Sequence, residues 1–198
     1  KAANVTGQSA EEVSEQLTAV WNGYKASAQE AELYVDKLAA VAADTAADLV
    51  ELSTGMSKVA SAANIMGVDI DQLNGMLSTV ISVTREAPES IGTSFKTIFA
   101  RLQGLQLGET LDDGTDLNKY SKALMSVGIN IKDTNGQLKD TDVILDELGQ
   151  KWQTLEKDEK SALAQTVAGT RQYTQLISLM DNYSDFKDNV ASASASEG

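Results

Sequence analysis

Cysteine and histidine are both absent from this 198-residue chain, which excludes disulfides, soft metal ligands, and any catalysis built on a histidine base or cysteine nucleophile. Basic residues are scarce, with 16 Lys and Arg against 29 Asp and Glu for a net charge of -13. Each phosphate contact needs a cation, so direct nucleic-acid binding is not expected. The three arginines, Arg85, Arg101 and Arg171, are widely spaced. Long apolar runs are also missing. The most apolar stretch, Leu38 to Val50, is broken by Asp44 and Asp48 and is too short and polar to span a bilayer. Lys1 opens no signal peptide, so no membrane contact is expected from this chain. The start at Lys1 and the Ala-Ser run at the other end read as an excised piece of something longer.

What is present is apolar side chains at helical spacing, 42% of the residues being hydrophobic and only 5% aromatic. That length and composition suit one domain or two small lobes with a buried core. Ser9 and Glu12 form a capping-box pattern before Val13, Leu17, Val20 and Tyr24, and the period continues through Leu33, Tyr34, Leu38 and Val41. Thr45 with Asp48 precedes the stripe Leu49, Leu52, Met56, Val59 and Ala63, whose many flanking alanines suit close helix approach. Asp69 with Gln72 precedes Ile70, Leu73, Leu77, Val80 and Ile81. Pro88, the only proline, fits the first turn of a helix bearing Ile91, Phe95, Ile98, Phe99 and Leu102, which Gly104 is expected to stop.

The most ordered set of signals lies between Lys119 and Asn182. Tyr120, Leu124 and Val127 end at Gly128, and alternating apolar residues flank Asn135-Gly136, a hairpin signal because both turn residues tolerate positive φ. Thr141 or Asp142 then caps a stripe of Ile144, Leu145, Leu148, Trp152 and Leu155. Asp158 opens a short helix ending at Gly169, and Thr170 caps a last one with Tyr173, Leu176, Ile177 and Met180.

The order GINIKDTNGQLKDTDVILDELGQKWQTL, then ALAQTVAGTRQYTQLISLMDN, resembles the core region of phage tail tape-measure proteins. Upstream, VASAANIMGVDIDQLNGMLSTVISVTREAPESIGTSFKTIFARL resembles the preceding part of the same core. The resemblance implies a structural virion protein that runs through the tail tube lumen, sets tail length, scaffolds tube assembly and leaves during genome ejection. It implies the tail tube protein, tail assembly chaperones and further copies of the same chain as partners, and the bacterial cytoplasm as the place of assembly.

An alternative comes from Trp21-Asn22-Gly23, which resembles the turn of small secreted Trp-x-Gly helical hairpins and would make the chain an adaptor or secretion substrate. Those proteins usually add a tyrosine followed four positions on by an acid, and Tyr24, Tyr34 and Tyr183 lack one. No catalytic, cofactor-binding or metal-ligating residue is assigned, and no enzyme activity is expected. Glu11, Glu89, Glu147 and Glu159 sit in first turns or on polar faces, where acids complement the helix dipole. Asp133-Thr-Asn135-Gly136 has only a partial calcium-loop pattern, with Ile131 at the first ligand position. Asp112, Asp113 and Asp116 read as a solvated loop.

The resulting expectation is an all-α array of six to eight amphipathic helices with one short β-hairpin near 129–139. It divides into an N-terminal helical lobe (1–104), an acidic loop or hinge (105–116), a hairpin plus helical lobe (117–190) and a disordered tail (191–198).

Overall fold

The computed structural model describes residues 10–107 and 118–196, which contain ten α-helices and no β-strand. These are α1 (Ala10–Tyr24), α2 (Ala28–Asp44), α3 (Leu49–Ile65), α4 (Ile70–Thr84), α5 (Pro88–Leu107), α6 (Asn118–Ser126), α7 (Thr141–Trp152), α8 (Lys157–Ala168), α9 (Tyr173–Asp181) and α10 (Tyr183–Ala195). The all-α class agrees with the sequence. The count exceeds six to eight because two continuous stripes are each cut once. Lys25 takes a left-handed φ of 56° and Ser27 starts α2 with a full capping box to Glu30. Asn182 likewise separates α9 from α10. The breaks are only three residues (Lys25 to Ser27) and one residue (Asn182) long, and apolar residues at helical spacing continue on both sides, so periodicity alone runs across them.

The β-hairpin is not formed. Across the Asn135-Gly136 turn there is a single antiparallel bridge, Lys132 to Leu138. The turn itself is as expected, with Gly136 at φ +78°. Two of its donors, however, go to a side chain: the Asp133 carboxylate accepts the N–H groups of Asn135 at 2.9 Å and Gln137 at 2.8 Å. One residue beyond Lys139, Asp140 is already the cap of α7, so the ladder has no room to lengthen.

Other boundaries move by a few residues for the same local reason, competition between nearby acceptors. Asp48, not Thr45, caps α3 and exchanges bonds with Glu51 at 2.8 and 2.9 Å. Glu156, not Asp158, begins α8 in a box with Glu159, and Gln172 rather than Thr170 precedes α9. Pro88 does open α5, but the helix passes through Gly104 to Leu107. The remainder of the expected acidic hinge, 108–116, lies outside the described residues, as does the Ser9 cap. Residues on either side of it share one hydrophobic core running from Val13 to Ala193.

The centre of that core is α3 with α4. In α4 every residue from Leu73 to Ile81 is buried, so the helix has no solvent face over more than two turns. Four of those nine residues are Asn74, Gly75, Ser78 and Thr79. Such polar groups are tolerated inside because short hydroxyls bond back to their own helix. Ser78 and Thr79 donate to the Gly75 carbonyl at 3.1 and 2.8 Å, and Asn74 donates to the Lys37 carbonyl of α2 at 3.0 Å.

Small residues then set how closely the neighbours lie. At the α3–α5 crossing a Cβ on Gly92 would collide with the Gly55 carbonyl, so backbone meets backbone there. Across α4 and α10, a Cβ on Gly75 would lie 3.1 Å from the Phe186 carbonyl oxygen and still closer to a methyl of Val190. The Ala-Ser run that reads as disordered continues this theme, correcting the expectation for 191–195. It is helical to Ala195, with Ala193 fully buried, because small side chains let α10 settle onto α2 and α4.

Replacing Gly92 by alanine should lower the urea midpoint of unfolding and destabilise the protein by about 1–3 kcal/mol, since an added methyl must push two backbones apart. An unchanged midpoint would contradict this account of the crossing.

Candidate functional site

The carboxylates considered as acids or ligands are accounted for by local structure. Glu11 and Glu89 are exposed in first helical turns. Glu147 accepts from Lys139 Nζ at 2.6 Å, and Glu159 accepts the Glu156 N–H at 2.8 Å. Asp133 holds its own turn, and Asp112, Asp113 and Asp116 lie outside the described residues. Among the described residues no three acidic side chains are grouped as a metal ion would need.

The Trp21-Asn22-Gly23 tripeptide lies in the last turn of α1. Gly23 is there for a crossing: its missing Cβ would lie 2.8 Å from both Ala60 Cβ and Ser61 N of α3, and Asn64 Nδ2 donates to the Gly23 carbonyl at 3.2 Å. α1 therefore packs chiefly on α3. A two-helix Trp-x-Gly hairpin would instead seat it on α2.

The polar residues that do converge lie along the C-terminal helix. Lys37 of α2, only 6% exposed, forms an ion pair with Asp71 of α4 at 2.8 Å, and Ser194 donates to the same carboxylate at 3.0 Å. Ser192 donates to Asp44 at 2.6 Å and Asn189 to Thr79 Oγ1 at 3.0 Å. One turn of α7 repeats the pattern, Asp146 accepting from Tyr183 at 2.8 Å and Lys187 at 2.7 Å. Burial alone would raise Asp146, but the bonds from Lys187 and Tyr183 outweigh it and hold the carboxyl below its usual range. Tyr183 is pushed up to about 12, first by burial and then by that acceptor. Trp152, fully buried, donates its indole N–H to Asp181 at 2.7 Å. Lys37 and Asn74 were not singled out from the sequence, although each lies in phase with an apolar stripe, the signal that marks a buried polar residue.

A second corner joins the end of α3 to the start of α7. Gly67, at φ +70°, leaves space for Asp140 where a Cβ would stand, and Thr141 N–H bonds the Met66 carbonyl at 3.2 Å. Tyr24 donates to the Val68 carbonyl at 3.0 Å beside this corner. Its hydroxyl is buried, which with Asp69 and neighbouring acids raises the pKa well above the usual tyrosine value. Asp142 is also raised, by burial and by Asp69 and Asp140.

An open groove of about 690 Å³ lies between α6 and residues 130–134. Met125 and Ile131 supply apolar lining, Ser121 and Asn130 polar lining, and Lys132, Lys139 and Asp133 the charges.

The fold is an all-helical array whose converging polar groups serve caps, crossings and the seating of its last helix. The chain belongs to the phage-related minor tail protein family, whose model matches residues 1–169. It is a structural phage tail protein, carried in the virion among other tail proteins; α9 and α10 lie beyond the matched residues. No solved structure matches the chain. Among the described residues no helix is long and apolar enough to cross a membrane.

Because the Tyr24 pKa is raised on folding, its contribution is complete below about pH 10, the unfolded value, and is lost as pH rises further toward the folded value. Tyr24→Phe should cost about 1 kcal/mol at pH 7 through the lost hydrogen bond. Urea titrations from neutral to alkaline pH should show the variant losing less stability than the parent above pH 10, about the ordinary tyrosine pKa; parallel pH profiles would refute the assignment.

Proposed function

We propose that this chain is the core region of a tape-measure protein, acting in tail-length determination, tail tube assembly and genome ejection. The order of its segments supports that reading. Its place is then the lumen of the tail tube, reached by assembly in the bacterial cytoplasm, with the tail tube protein, assembly chaperones and further copies of itself as partners. The role is structural, with no catalytic step and no bound cofactor.

The observation that carries the mechanism is the common core from Val13 to Ala193, built by helices that are capped, stopped and crossed. In a measuring rod of continuous helix each residue counts for about 1.5 Å, whereas a bundle folded back on itself counts for far less. The described region therefore acts as a folded module within the ruler rather than as measured length. The net charge of -13 fits a tail interior through which DNA passes without being held, and also keeps an assembly protein dispersed.

In-frame removal of residues 10–196 from the phage gene should impair assembly or infectivity more than it shortens the tails. Electron microscopy of the deletion phage measures this. Infectious particles shortened by about 1.5 Å for each residue removed would show the region to be measured rod.

A further inference from the structure

The groove beside α6 is accounted for by neither the fold nor the measuring role. Across the bridge, Lys139 N–H bonds the Ile131 carbonyl at 3.0 Å and Asp133 N–H bonds the Gln137 carbonyl at 2.8 Å. In that register Lys132 and Leu138 form the non-hydrogen-bonded pair, so the N–H and C=O of Lys132 point away from Leu138. Neither makes a backbone hydrogen bond. The segment lining the groove thus carries an unpaired strand edge, open to another chain.

Charge and side chains around this edge are unlike the rest of the molecule. From Ser121 to Lys139 the sequence holds Lys122, Lys132 and Lys139 against a single acid, Asp133, in a chain of net charge -13. Lys139 is held by Glu147, and Asp133 is occupied by its turn. Lys122 and Lys132 are exposed and have no carboxylate partner among the described residues. Met125, which lines the groove, is 55% exposed, and Leu138, paired with Lys132 across the bridge, is 41% exposed.

We propose that this groove receives an extended segment of a partner tail protein, added as a strand along residues 131–133. Successive side chains of a strand point to opposite faces, so a segment alternating acidic and apolar residues would present acids toward Lys132 and apolar groups toward Met125 and Ile131. The main chain of Lys132 supplies one donor and one acceptor, and its exposed ammonium selects the partner by charge. The proposal rests on the groove alone and is independent of whether the chain measures tail length.

The test uses the whole chain and a labelled, end-capped peptide of about six residues, the usual strand length, alternating valine and glutamate. Fluorescence anisotropy should detect binding that is about tenfold weaker with Lys132→Glu, a rim charge reversed. Because Lys132 is exposed, that variant should keep the parent's circular dichroism. Methylating the peptide's backbone nitrogens should abolish binding, and replacing its glutamates by lysines should do the same. Equal binding of the methylated peptide, indifference to Lys132→Glu, or no binding at about millimolar peptide would overturn the proposal. So would sedimentation showing that the chain associates with itself through Lys132 and that the peptide does not compete, since the occupant would then be a second copy.

Discussion

Two helices can approach only as closely as the side chains between them permit, and here α3 and α5 cross where neither has one. Gly55 and Gly92 bring carbonyl and Cα into contact, Gly23 does the same for α1 on α3, and Gly75 admits α10 to α4. Once those distances are set, α4 is enclosed by other helices from Leu73 to Ile81, and the large apolar side chains Phe95, Phe99, Leu73 and Met76 are fully buried. Burial of each such side chain contributes about 1.5–3 kcal/mol, so the crossings matter because they let that burial be complete.

Enclosure brings polar residues inside, and each needs an answer. Ser78 and Thr79 bond within their own helix, Asn74 reaches α2, and Lys37 meets Asp71. Leaving one buried partner unpaired costs more than the pair itself contributes, which makes such contacts selective for one arrangement. The C-terminal helix shows the consequence. With few large apolar side chains, Phe186 being the only one fully buried, α10 is positioned by Ser192, Ser194, Asn189, Lys187 and Tyr183 on acceptors supplied by α2, α4 and α7.

Function follows from what this interior leaves outside. A surface rich in carboxylates, many tied into caps, gives a body that resists association by charge. Against that background a small groove with the exposed Lys132 and an unpaired backbone edge is a local exception, which is why the docking proposal falls there. The groove was partly legible beforehand. Asn135-Gly136 marked the turn, but the alternation around it suggested a hairpin, and only Asp133 taking the turn's N–H groups explains why a single bridge remains and an edge stays open.

By itself the sequence determined the helical class, most of the apolar stripes and most stopping points, because helical period, caps and glycines act over a few neighbouring residues. Asp69, Pro88, Gly128 and Gly169 all stand where local chemistry puts them. It did not determine which stripes are cut by a short break, since phase survives the interruption at Asn182. Nor did it reveal that the Ala-Ser run is helical, that Lys37 and Asn74 are inside, or that α1 chooses α3. Those outcomes depend on residues distant in the chain, whose approach is decided by close-packed crossings and by pairings such as Lys37 with Asp71 and Asn74 with the Lys37 carbonyl.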